Sequence, residues 1–314
     1  MCLVSAVGEH VQPGDVGYYD SAYADHMGPR IKRLYDRYFR TRVEGLEHVP
    51  EGPFLSVGNH NGSVMMPDLI VWLTHYHALG RTTPLLAVSH DLLFTMPPAG
   101  FSRWIARLGA IRATKENAAA ALARGCAVHA YPGGDFDATK AWSDRHKIIF
   151  AGRTGYARAA FRARVPVVPV VSCGAHETLF VVNDGSKVAR ALGLDKRARM
   201  PVLPLMFLVP WGVWVGIPPG FLPLPSQISL RVLPAIDTTR YGRDEATAVA
   251  AIDREVRVRM QAALTELARG RIPIVGTPDF LVRARDAARE NVGALLTRFA
   301  RSRSVAGEAR EVRA

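Results

Sequence analysis

The chain has 314 residues, 48% of them hydrophobic and 22% charged, enough apolar material for one large domain or two small ones and too little charge for a disordered chain. Lys and Arg number 40 against 28 Asp and Glu, and the net charge of +12 suits an anionic partner: a membrane surface, a phosphorylated substrate or nucleic acid. The aromatics are not interleaved with the basic residues in any nucleic-acid motif, so no nucleic-acid partner is expected and the anionic membrane surface ranks first.

Met1 to Asp20 lacks the basic start and apolar run of a secretory leader. The spacing of Cys2, Cys126 and Cys173 fits neither a zinc site nor a disulfide framework. Both readings favour a reducing, cytoplasmic setting, and the net charge of +12 adds the expectation of peripheral attachment to the membrane. Residues 1–27 have no clear period and read as an irregular arm. From Pro29 to Arg42 the pattern is helical, with Ile31, Leu34, Tyr35, Tyr38 and Phe39 on one face and Arg or Lys on the rest. That helix suits either an anionic membrane or a core with a solvated basic side. Two strands are expected at Arg42–His48 and Phe54–Val57, then a polar loop, then a buried helix opened by Pro67.

Leu85–Val88 predicts a short strand. A short helix through Phe101, Trp104, Ile105 and Leu108 follows, then an extended Gly109–Arg112 and an alanine-rich helix over Lys115–Arg124. Cys126–Tyr131 predicts a buried strand, Gly152–Arg164 a helix, and Val165–Val171 a strand whose prolines suit its ends or an edge. Residues 200–230 hold seven prolines and no charge, which argues against one spanning helix. Phe207, Trp211, Trp214 and Phe221 are then available to lipid, to an acyl chain or to the core. A strand over Ile228–Leu233 and an amphipathic helix over Ala248–Leu267 complete the pattern, the helix with Ile252, Val256, Met260, Ala263 and Leu267 in register. Leu281, Ala284, Ala288, Val292, Leu295 and Phe299 predict one more helix, with disorder from about residue 302. Alternating strands and helices indicate an α/β fold, a single mixed, largely parallel sheet flanked by helices. The expected division is an arm and basic helix over 1–41, the α/β domain over 42–270, and a helical basic tail over 271–314.

Four clusters carry polar chemistry. The loop Asn59-His60-Asn61-Gly62-Ser63 leads to Asp68. His60 can exchange a proton near neutral pH and Asp68 could steady its ring; equally, the pair could only satisfy a turn and a helix end. Tyr131-Pro132-Gly133-Gly134-Asp135-Phe136-Asp137 follows a strand, and its glycines allow backbone N–H groups to meet an oxyanion. Arg112 and Lys115 flank a helix start, a seat for phosphate or a plain basic surface. His176 and Glu177 are adjacent, a poor arrangement for chelating one metal, so no metal is expected and His176 is read as lining the His60 cleft. There is no Gly-x-Ser-x-Gly elbow, phosphate loop or dinucleotide fingerprint.

The order of these blocks resembles the glycerolipid acyltransferases, the lysophosphatidic-acid acyltransferase superfamily. The resemblance runs from about Arg42 to Leu267. It joins Val43–Pro50, Asn59-His60, Gly109–Asn117, Tyr131–Gly134 and Val165–Val170. It implies acyl transfer from acyl-coenzyme A or an acyl-carrier protein, as co-substrate rather than cofactor, to a hydroxyl of a lysophospholipid or glycerolipid. His60 would be the base, with Asp68, Asp135 or Asp137 as its carboxylate. The resemblance also implies Arg112 among the phosphate or acceptor contacts, Gly133-Gly134 in a glycerol-binding loop and Val165–Val170 as an acyl-site strand; Asn59, Asn61, Gly62, Lys115 and His176 are the further candidate substrate contacts. Two positions depart from the family pattern. Met65 stands five residues after the His, where an Asp is usual, and Gly133 follows Pro132 where a Glu is usual. The second departure is similar to the diacylglycerol and wax-ester branch. The alternatives are a hydrolase with Ser63 as nucleophile and a lipid-binding protein without catalysis.

Overall fold

The computed structural model describes residues 12–95, 99–194, 201–218, 220–283 and 287. Its main sheet has seven strands: β1 (Arg42–Glu44), β2 (Leu55–Gly58), β3 (Leu85–Ser89), β4 (Ala110–Arg112), β5 (Ala127–Ala130), β6 (Val167–Cys173) and β10 (Ser229–Val232). They lie in the order β1-β10-β6-β2-β5-β3-β4. Only the β10–β6 pair is antiparallel. The expected mixed, largely parallel α/β sheet is present. Helices cover both of its faces, which is why β2 and β6 are buried along their whole length.

Strand β6, whose prolines suited its ends or an edge, is interior and paired on both sides; Pro166 lies just before its start, and Pro169 lies within it. Its Pro169 is tolerated because β10 stops at Val232, so the missing N–H falls just past the end of that ladder. The Pro169 carbonyl still accepts from Leu233 N–H at 2.9 Å.

Helix α1 spans Ser21–Phe39 and begins well before the expected Pro29, which sits inside it. Asp20 caps it by accepting from Tyr23 N–H at 2.9 Å. Its buried side is made of small residues, Ala24 and Gly28, whereas Leu34, expected on the apolar face, is 64% exposed. Gly28 lets α1 approach helix α2 (Pro67–His77): a Cβ there would lie 2.9 Å from the His77 ring. His77 also pairs with Asp25 at 2.8 Å. The segment to residue 41 is therefore packed into the body, at least from residue 12, rather than an arm.

The helices α4 (Ala99–Arg107), α5 (Lys115–Ala123) and α7 (Gly155–Ala163) follow the expected pattern, and two one-turn helices add to it, α3 (Leu92–Thr95) after β3 and α6 (Asp135–Ala138) after β5. The charge-free stretch from 200 to 230 supplies two strands, β8 (Leu205–Leu208) and β9 (Gly212–Val215), to a second sheet, whose third strand, β7 (Phe180–Asn183), comes earlier in the chain; all pair antiparallel. Helix α8 (Ser186–Ala191) follows β7. Val181 and Met206 point to a small core with Leu179, Leu208 and Phe221, and Val64 and Met65 close it from the other side. Phe221 is thus a core residue, while Phe207 and Trp211 are exposed.

Helix α9 (Glu245–Ala268) packs on β6 and α7 with Ile252, Val256, Met260, Ala263 and Leu267 buried as the periodicity required. Arg271 forms a buried ion pair with Glu177, so the boundary expected at residue 270 cuts through packed structure. Leu281, the first residue of the last expected helical stripe, is helical; Ala284, Ala288, Val292, Leu295 and Phe299 lie outside the described residues, as do residues 1–11. Among the described residues no helix is long and apolar enough to cross a membrane.

Ile252 is 0% exposed. Ile252→Ala should lower the unfolding free energy by about 2–5 kcal/mol, as cavity-forming core substitutions do, read by urea unfolding followed by circular dichroism.

Candidate active site

Three parallel neighbours, β6, β2 and β5, end side by side, and the loops after them meet beyond their carboxyl ends, where open α/β sheets bind ligands. The β2 loop brings His60, the β5 loop Tyr131–Asp137, and the β6 loop His176 and Glu177. Gly58, the last residue of β2, has no side chain because the β5 rings cover it: a Cβ would lie 2.5 Å from Tyr131 and 3.0 Å from His129.

Asn59 anchors the β2 loop to β6. Its amide donates to the Ser172 carbonyl at 2.8 Å and accepts from Ser172 N–H at 2.9 Å. Asn61 donates to the Asn59 carbonyl at 3.2 Å. Both are buried, so neither asparagine is open to substrate. Gly62 has a positive φ of 75°, and a Cβ would strike Pro67 at 2.6 Å; its role is the turn, not a substrate contact.

The His60 backbone N–H donates to Asp137 Oδ2 at 2.6 Å. Lys140 Nζ donates to the other oxygen, Oδ1, at 2.6 Å, and both side chains of that ion pair are fully enclosed. Burial raises the Asp137 carboxyl, while the Lys140 ammonium and the N–H groups of His60 and Ile149 draw it down. Burial is the larger effect and holds the Asp137 carboxyl above the usual carboxylate range, with donors on both oxygens and the Lys140 ammonium opposing it. The Lys140 carbonyl meets His176 Nε2 at 2.7 Å. His176 is 1% exposed, so it walls the site instead of lining an open cleft.

The His60 ring stacks on Tyr131, centroids 4.5 Å apart, and Tyr131 meets His129 edge to face at 4.6 Å. Burial, then the Lys140 charge, lowers the His60 pKa to about 3, against a backbone hydrogen bond at Asn61. The ring is therefore neutral at pH 7 and able to accept a proton. Its Nδ1 is buried without a hydrogen-bond partner among the described residues. Asp68, in the first turn of α2, is also buried, and neither of its oxygens has such a partner. Burial raises Asp68 to about 8. Burial and the Asp68 carboxyl together hold the Tyr131 hydroxyl well above the usual phenol range. The His60 ring and the Asp68 carboxyl thus lie on either side of Tyr131, whose ring stacks on the imidazole and whose hydroxyl interacts with the carboxyl.

The remaining candidates fall elsewhere. Arg112 ends β4, three strands from β2 and hence about 14 Å away at ordinary strand spacing. It pairs with Asp91 at 3.2 Å and lies over the Phe94 ring; Lys115 is exposed at the start of α5. The structure does not bring this pair to His60. The glycine pair serves packing: a Cβ on Gly133 would lie 2.1 Å from the Ile149 carbonyl, and Gly134 has φ of 50°. Gly134 N–H is engaged by the Tyr131 carbonyl at 3.1 Å and is not free for an oxyanion. Asp135 is partly exposed on α6. No group of His, Cys, Asp and Glu suited to a metal occurs among the described residues.

Lys140 and His129 are the residues that sequence reasoning missed. The Asp137-x-x-Lys140 spacing was the available signal, since residues three apart share one side of a helical turn.

Residues 40–173, from just before β1 through β6, match the family model described as Acyltransferase. The chain is 28% identical over 283 residues to an uncharacterized protein of Mycobacterium tuberculosis, covering 86% of this chain and 75% of that one. It is 27% identical over 208 residues to the DGAT1/2-independent enzyme synthesizing storage lipids of Gallus gallus, covering 65% of this chain and 59% of that one. Among solved structures it resembles the 1-acyl-sn-glycerophosphate (LPA) acyltransferase PlsC from Thermotoga maritima. The TM-score is 0.48 and the identity 18%, over 79% of this chain and 83% of that one.

His129 and His176, both 1% exposed, have pKa values lowered by burial to about 3. A folded pKa below the unfolded value means that the unfolded chain binds the extra protons. The stabilisation is present above about pH 6.5 and is lost as pH falls towards 3. Thermal unfolding should show a melting temperature that declines below pH 6.5, and His129→Gln should flatten that decline.

Proposed function

We propose, from the match of residues 40–173 to the Acyltransferase family model, that the chain is a glycerolipid acyltransferase that carries an acyl group from a thioester to a free hydroxyl of a glycerolipid, with His60 as general base. The neutral His60 ring, fixed between Tyr131 and the Asp137 anchor, is the observation that supports this reading. Nε2 takes the acceptor's hydroxyl proton as that oxygen attacks the thioester carbonyl. The tetrahedral intermediate collapses, the carbon–sulfur bond breaks, and the thiolate leaves with the proton held by His60. Coenzyme A and an acyl-carrier protein are the two donors that fit. A thioester is already activated, so no acyl-enzyme is required.

The proton that the ring acquires needs a counter-charge. Asp137 holds the His60 backbone rather than its ring and is already paired with Lys140. Asp68 is the carboxyl left to serve Nδ1, through Tyr131 or a water, and its ionised form is the active one. Asp135 has no such position. The likeness to the chicken enzyme that synthesizes storage lipids, together with the Gly-Gly after Pro132, favours a mono- or diacylglycerol as acceptor, with lysophospholipids next. The hydrolase alternative draws no support from the geometry, because Ser63 is 2% exposed in a turn.

His60→Ala should reduce transfer from radiolabelled acyl-coenzyme A to a panel of mono- and diacylglycerols and lysophospholipids by roughly 10²–10⁴, with the circular-dichroism spectrum unchanged. Near-normal turnover in that variant would refute the assignment. Ser63→Ala should retain transfer, and mass spectrometry of the stalled enzyme should find no acyl-serine. A serine ester would support the hydrolase instead.

Asp68 predicts a pH effect of definite sign. Its raised pKa of about 8 means that the active anion appears as pH rises through 8, so the rate constant for transfer should increase there. Asp68→Asn should remove that rise. The same substitution should stabilise the fold at pH 8–9 and change it little near pH 4, because a raised carboxyl pKa contributes stability only where the group stays protonated.

A further inference from the structure

The three-stranded sheet has two unlike faces. Val181 and Met206 face the small core and are fully buried. On the other face the register aligns Phe180, Phe207 and Val213 in one row and Leu205 with Val215 in the next. Phe207 is 53% exposed and Val213 72%. Trp211, at the turn between β8 and β9, is 52% exposed, and its indole N–H is satisfied by the Gly220 carbonyl, so the ring can enter an apolar medium without stranding a donor. A soluble monomer seldom leaves such a contiguous patch uncovered.

We infer that this β7–β8–β9 face is the surface by which the protein docks on an anionic lipid bilayer. Three observations select a bilayer as the occupant. Helix α8, which continues from β7, exposes Val188 and Leu192 together with Lys187 and Arg190, a mixed apolar and cationic border that complements acidic headgroups. Residues 200–230 include no acidic residue to oppose that contact. The opposite side of the same sheet rests on Val64 and Met65, a few residues beyond His60, so a docked sheet sets the proposed base next to the lipid that supplies its acceptor. This last point rests on the acyl-transfer reading; the docking itself does not. The contact is superficial, through strands and a turn, since no described helix is built to span. An indole at the turn suits the headgroup boundary, where tryptophan is enriched.

The test is co-sedimentation of the full chain with vesicles of phosphatidylcholine alone and of phosphatidylcholine with phosphatidylglycerol. The wild type should pellet with the anionic vesicles, and Phe207→Ser/Val213→Ser should lower its partition at least tenfold. Lys187→Glu/Arg190→Glu should weaken binding to anionic vesicles and leave the weaker neutral binding unchanged. Val258→Ser, which removes an apolar residue 64% exposed on α9, should bind as the wild type does. Circular dichroism of each variant confirms folding, which these exposed positions should not disturb. Binding is read without turnover. Separately, the Phe207→Ser/Val213→Ser variant should keep wild-type transfer on a water-soluble short-chain thioester and acceptor. Bound protein that transfers nothing would remove the proposed reaction and leave the docking intact. A wild type that stays in the supernatant would overturn the inference. So would a serine variant that pellets equally, or a wild-type dimer in size-exclusion chromatography that the serine variant dissociates.

Discussion

Everything at the site is held by the enclosed ion pair between Asp137 and Lys140. The carboxylate takes the His60 backbone N–H with one oxygen and the lysine ammonium with the other. The lysine's own carbonyl reaches His176 on the β6 loop. One pair thus ties together the loops that leave β2, β5 and β6. A buried pair of this kind adds little net stability over apolar residues of the same size, but removing one partner strands a charge and typically costs about 3–5 kcal/mol. Its consequence here is geometric. It sets where the His60 backbone lies, and it occupies Asp137, which otherwise competes for the imidazole.

That division of labour separates two carboxyl groups by environment. Asp137 has donors on both oxygens and the Lys140 ammonium beside it, which oppose the effect of burial. At Asp68 burial outweighs the N–H groups of Leu69 and Asp68 and the Lys140 charge, and the carboxyl holds its proton to about pH 8. Two carboxyl groups within reach of one loop therefore act differently, one as a fixed anchor and the other as a group whose charge changes within the working range of an enzyme.

The alternating strands and helices were legible from hydrophobic period alone, and so was α9, whose five in-register apolar residues are all buried. The start of α1 was not, because its interior is lined by Ala24 and Gly28, which carry no hydrophobic signal; close approach to His77 demands small residues there. Pro169 pointed towards an edge, and only the sheet order shows that β10 ends before the missing N–H would be needed. At the site, His60 and the Tyr131–Asp137 block could be picked out as polar residues beyond strand ends. The roles within the block could not. Whether a glycine meets a ligand or its own neighbour depends on Ile149 and Arg153, far along the chain. Whether Asn59 is free depends on Ser172.

The departure from the family spacing has a physical account in the same geometry. Position 65, five residues after His60, carries Met, and together with Val64 it plugs the core beneath the second sheet. An ionised carboxyl at that position would lie against Leu179, Val181 and Met206, a costly place for a charge. To present those two side chains inward, the chain takes left-handed backbone at both Ser63 and Met66, φ 52° and 40°, a strain that persists only where packing enforces it. The carboxyl is displaced by three residues, into the first turn of α2, where Tyr131 lies between it and the imidazole. The apolar plug under the small sheet and the late carboxyl are thus two results of one local choice, and the loop that holds the proposed base is braced by the sheet whose other face is left bare.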